Sequence, residues 1–224
     1  MKYEIREAPF SVLECSLSAG ESMKCQKGAM AWMTRGITMQ TKAGGIGKMF
    51  KKAIAGESAF WNNYMAEADG QIAFSTTFPG KIIPVDVGTM PIVAQKSAFL
   101  ASEAGVEMNI YLQEKIGAGF FGGEGFIMEQ FSGRGYVFLE IDGGFVEKQL
   151  EAGEEIVVDS GYLAAMDQSC SMRIERIKGI GNVMLGGEGL FNTIITGPGK
   201  VWLQTMPISA FVDGIVPHMP FKRE

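Results

Sequence analysis

Three glutamates, Glu57, Glu124 and Glu188, recur beside glycine in "GES", "GGEG" and again "GGEG". Paired carboxylates could do the acid and base work of glycoside hydrolysis, one held protonated while the other stays charged. Repetition argues for something else. Catalysis needs differently tuned groups at one place, whereas a residue repeated once per unit answers a local need, such as accepting hydrogen bonds from the amides of a glycine turn. A repeated small-ligand or metal contact is the second reading of these glutamates, and a hydrolase built on them is the third.

The segment "KAGGIGKMFKK", residues 42–52, is the nearest approach to a phosphate loop. It lacks the first glycine of the P-loop pattern, where Lys42 stands, and the Ser or Thr after the Gly-Lys pair, where Met49 stands. Lys48, Lys51 and Lys52 alternate there with Met49, Phe50 and Ile54, a short basic amphipathic segment that could touch an anionic membrane surface or an acidic partner. The alternative is a solvated loop that tucks its apolar residues against a neighbouring unit. The single histidine, His218, rules out a metal site made of several imidazoles within one chain, and no G-x-S-x-G is present. The reading therefore assigns no catalytic residue, no metal ligand and no cofactor.

A formal charge of -5 argues against a nucleic-acid partner, whose phosphates are met by Lys and Arg. Cys15, Cys25 and Cys170 are odd in number and without C-x-x-C spacing, as expected of buried, reduced thiols. The opening "MKYEIREAPF" has no signal-peptide pattern, and the expectation is a cytoplasmic protein without a membrane-spanning helix.

The elements that must position these residues are read from the chain's likeness to itself. A shift of 64 residues lays Gly122-Gly123-Glu124-Gly125 on Gly186-Gly187-Glu188-Gly189 and carries Val137 and Leu139 onto Val201 and Leu203. A shift of 133 lays "LSAGESMKCQKGAMAWM", from Leu17, on "LEAGEEIVVDSGYLAAM", from Leu150. Three β repeats are expected, over residues 3–70, 71–135 and 136–199, with closing strands and a C-terminal tail over 200–224. Within each, apolar residues alternate with polar ones or form short runs such as "YVFLEI" and "KVWLQT", bounded by Gly, Asp, Asn and Pro. The class is all-β, as a barrel, sandwich or prism-like array. Gly133/Gly135 and Gly197/Gly199 are expected to close hairpins.

The strand after the second glycine pair is apolar on both faces, Val137 and Leu139 against Phe138, and Val201 and Leu203 against Trp202. Phe138 and Trp202 are therefore candidates for an internal core, for a subunit interface or, third, for stacking on a ligand.

The segments "GGEGLFNTIITGPGKVWLQTMP" and "GGIGKMFKKAIAGESAFWNNY" resemble the altered-inheritance-of-mitochondria protein 24 family, over Tyr3 to about Val212. The resemblance implies three tandem double-stranded β-helix repeats, each similar to the subunit of the Trp RNA-binding attenuation protein, in a pseudo-threefold arrangement. It further implies a homotrimeric ring, and no assigned reaction. The leading expectation is a non-enzymatic assembly protein. A ring binding a small molecule or RNA between repeats is the alternative.

Overall fold

The computed structural model of the chain describes residues 1–6, 10–40, 61–114, 125–176 and 191–219. The described strands are β1 (Lys2–Arg6), β2 (Val12–Leu17), β3 (Ser22–Gln26), β4 (Met30–Met33), β5 (Ile37–Gln40) and β6 (Trp61–Ala66). They continue as β7 (Gly70–Ser75), β8 (Gly80–Asp86), β9 (Ile92–Gln95), β10 (Phe99–Glu103), β11 (Val106–Glu114) and β12 (Phe126–Gly133). The last are β13 (Tyr136–Asp142), β14 (Phe145–Leu150), β15 (Glu155–Asp159), β16 (Leu163–Asp167), β17 (Ser171–Arg176), β18 (Phe191–Thr196) and β19 (Gly199–Gln204). One α-helix, α1 (Ile208–Ile215), follows. The protein is all-β, in antiparallel sheets.

Strand alternation comes straight from the side chains. In β2 the sequence "VLECSL" buries Leu13, Cys15 and Leu17 and leaves Ser16 exposed; β3 buries Met23 and Cys25 in the same way. The period of two places one row of side chains on one sheet face. The copied segments "LSAGE" and "LEAGE" also fold alike. Glu21 accepts from the Ser18 amide at 2.8 Å, Glu154 accepts from the Glu151 amide at 2.8 Å, and Gly20 and Gly153 take the positive φ that the turn demands.

The strands form four sheets, of order β1-β2-β7-β4, β5-β6-β3-β10-β13-β8, β11-β12-β9-β16-β19-β14 and β15-β18-β17. The order of the third is that of the second with every strand number raised by six. The same bulge recurs as well. It falls between Met30 and Trp32 where β4 pairs β7, between Phe99 and Ala101 where β10 pairs β13, and between Leu163 and Ala165 where β16 pairs β19.

By contact the chain divides into two units, the first comprising Met1–Pro91, Ser97–Asn109 and Gln130–Glu140, the second Ile92–Lys96, Ile110–Glu129 and Ile141–Glu224. The core of the first gathers Leu13, Met23, Ile72, Phe74, Leu100 and Phe138. That of the second gathers Val93, Phe126, Met128, Leu163, Met166 and Ile195.

The two glycine pairs do not close hairpins. Strands β12 and β13 lie in different sheets, as do β18 and β19, so Gly133/Gly135 and Gly197/Gly199 form corners that hand the chain from one sheet to another. The corner is tight enough to require glycine. Gly135 has φ 107°, and a Cβ there would run into the Glu103 carboxylate. The second departure is α1. Its Ile208, Phe211, Val212 and Ile215 follow a helical spacing within the expected C-terminal tail, and its first amide is capped by Asp142 Oδ2, which accepts from Ile208 N at 2.8 Å. Among the described residues no helix is long and apolar enough to cross a membrane.

Candidate functional site

Glu57, Glu124 and Glu188, and the basic segment with Lys48, Lys51 and Lys52, lie outside the described residues. Phe138 is fully buried and Trp202 is 5% exposed. Phe138 sits in the first core, with Tyr3 edge-on to it at 5.0 Å and Tyr136 stacked at 6.2 Å. The Trp202 indole N–H donates to Glu147 Oε2 at 3.1 Å. Of their readings, core, subunit contact or ligand stacking, the covering that the first requires is present within the single chain.

The repeated polar contact that the structure does show involves other residues. The Gln71 amide donates to Thr34 Oγ1 at 3.0 Å, the Tyr136 amide to Glu103 Oε2 at 2.8 Å, and the Lys200 amide to Asp167 Oδ2 at 2.8 Å. Each side chain fastens the residue with which, or next to which, a strand starts after a glycine corner. The self-alignment contained this signal, because the shift of 64 lays Glu103 on Asp167 and the shift of 133 lays Thr34 on Asp167. A second polar contact recurs at buried positions. Glu140 Oε2 accepts from the Thr77 amide at 2.6 Å, and Gln204 Oε1 accepts from the Asp142 amide at 3.2 Å.

These carboxylates are committed to holding backbone. The same holds in the 360 Å³ depression lined by Glu21, Glu103 and Arg134, where Glu21 accepts from the Ser18 amide and Glu103 from the Tyr136 amide. Glu129 is a buried carboxyl pushed up to about 6 by burial and drawn back in part by Lys96. Cys15 and Cys25 are free and buried, and burial pushes their thiols up to about 12, far from thiolate chemistry at neutral pH. Among the described residues no three His, Cys, Asp or Glu side chains converge as a metal site would require.

What the described surface offers is edge. Strand β4 pairs with β7 and ends its sheet, and β15 pairs with β18 and ends its own. Both carry exposed apolar side chains: Trp32 at 50%, Met33 at 38% and Val157 at 61%. A short strand edge with unpaired amides and carbonyls and apolar side chains is a template for another strand.

The family profile described as Mitochondrial biogenesis AIM24 matches residues 3–206. The chain belongs to the AIM24 family. Among relatives of this AIM24 chain is an uncharacterized protein of Streptococcus pyogenes serotype M6, 26% identical over 231 residues, covering 98% of this chain and 92% of the relative. A crystal structure of a Streptococcus pyogenes protein, from a structural genomics consortium, is similar in fold, with a TM-score of 0.84 and 23% identity. The match covers 97% of the AIM24 chain and 99% of the other.

Proposed function

We propose that the protein is a non-enzymatic assembly protein of the cytoplasm, whose activity is to build a closed trimeric ring from copies of itself. The observation that supports this reading is the pair of sheet ends at β4 and β15, each with a strand on one side only among the described residues, together with the exposed Trp32, Met33 and Val157. Two different edges on one chain make a heterologous, head-to-tail contact, and such contacts close into rings when the rotation between copies allows. A purely solvated role for these edges would favour charged side chains, which is how single-chain β proteins keep their edges apart. Glu103 and Asp167, near the glycine corners, each accept a backbone amide, which supports a structural part for them.

Light scattering on the purified protein at micromolar concentration tests the reading. The expected mass is three times the 24.2 kDa of the chain. A mass of one chain, constant across concentration, overturns it.

A further inference from the structure

We infer that β15 of one copy pairs antiparallel with β4 of a second copy, in one specific register, fusing the three-stranded sheet of the first and the four-stranded sheet of the second into one. The inference rests on the assembly reading and adds to it which strands meet and which residues face each other.

The rule relating the chain's two six-stranded sheets supplies the argument. Raising β5-β6-β3-β10-β13-β8 by six gives β11-β12-β9-β16-β19-β14. Raising that order by six again gives β17-β18-β15 followed by strands that would be numbered 22, 25 and 20, three that the nineteen described strands do not contain. Counted on into a second copy after eighteen, these are β4, β7 and β2. The chain holds both halves of that sheet separately, β17-β18-β15 in one and β4-β7-β2, with β1 outermost, in another. Within one chain β4 and β15 belong to different sheets and are not paired to each other, so the strand that each edge awaits is offered by a second copy.

The register follows from the internal junctions of the same kind. Where β10 meets β3, Ala101, Ser102 and Glu103 face Cys25, Lys24 and Met23. Where β16 meets β9, Ala165, Met166 and Asp167 face Ala94, Val93 and Ile92. Trp32 sits one bulge past Met30 just as Ala101 and Ala165 sit one bulge past Phe99 and Leu163. On the other strand, Glu154 fastens its turn as Glu21 does, which aligns Ile156 with Met23. Between copies Trp32 then faces Val158, Met33 faces Val157, and Thr34 faces Ile156.

Exposure agrees with this placement. Ala101, Ser102, Ala165, Met166 and Val93 are fully buried in the internal junctions and Lys24 is half-buried there, whereas the counterparts Trp32, Met33 and Val157 are exposed. Tryptophan in place of alanine makes the contact between copies larger than the internal ones, and tryptophan is an effective anchor at such contacts.

Cysteine pairing tests the register, because directly opposed residues of antiparallel strands lie about 4.5–5.5 Å apart at Cα, within the span of a disulfide. Met33→Cys and Val157→Cys single variants are mixed and oxidised with copper–phenanthroline; the native thiols are buried. The expected product is a covalent dimer joining one of each, absent when Glu155→Cys replaces Val157→Cys. A parallel Val157→Arg variant should raise the dissociation constant of the assembly at least about tenfold, by placing an unpaired charge in an apolar contact. If the wild-type protein is trimeric yet the mixed variants stay uncoupled, or the out-of-register pair couples as well, the junction is wrong while the assembly reading stands. A disulfide formed only within single chains of a Met33→Cys, Val157→Cys double variant also overturns it. A monomeric wild type removes both.

Discussion

Glu103 and Asp167 show why a carboxylate repeated in a β protein need not be chemical. Each accepts one backbone amide where the chain has just turned a glycine corner, and Thr34 does the same with a hydroxyl. Charged acceptors of this kind contribute more than neutral ones, about 1.5–3 kcal/mol. Glu103→Ala should therefore lower unfolding free energy by about that much in urea, with Glu103→Gln recovering most of it, since an amide oxygen also accepts. Glu129 acts in the opposite sense. Its folded carboxyl is pushed up to about 6 from an ordinary 4.5, so the folded state holds the proton more tightly. Stability is then lost as pH rises from about 4.5 to 6, by about 2 kcal/mol in all, and stays lower above that range. Urea unfolding of wild type and Glu129→Gln at both ends of the window checks this: the variant should lack the wild-type decline. The self-alignment contained Thr34, Glu103 and Asp167 but drew attention to Glu57, Glu124 and Glu188, because a glycine-rich setting is conspicuous in letters while an accepted amide hydrogen bond is not.

Strand β13 carries the clearest agreement between pattern and packing. Its run "YVFLEID" has Val137, Phe138, Leu139, Glu140 and Ile141 all buried, as apolar residues on both faces require. Phe138→Ala should cost about 3–5 kcal/mol, the transfer loss plus a cavity that neighbours in a sheet cannot fill, read as a drop in the urea midpoint at unchanged slope. The all-β class was legible because alternation and short apolar runs survive in every segment. Hairpins at the glycine pairs were not, because Gly-X-Gly between two strands looks the same whether the strands pair or part. Only the partners chosen further away, β10 for β13 and β16 for β19, decide it. Helix α1 escaped for a related reason: eight residues with four apolar positions are too few for periodicity to separate from a strand's short run.

At the scale of the whole molecule, the four-stranded sheet has β4 at one end and the three-stranded sheet has β15 at one end among the described strands. The numbering rule that carries one six-stranded sheet into the next runs out at β15 and begins at β4, and the apolar residues exposed at those two edges occupy places that are buried or half-buried where the chain supplies the partner itself. No composition or motif could have shown this, since it depends on which strands share a sheet. The measurement that tests it most directly is amide hydrogen exchange on the assembled wild-type protein. The amides of Met30–Met33 and Glu155–Asp159 that point away from β7 and β18 should exchange as slowly as those of β10 and β16, which the chain pairs on both sides. Exchange at those positions as fast as at a free strand edge would contradict the account.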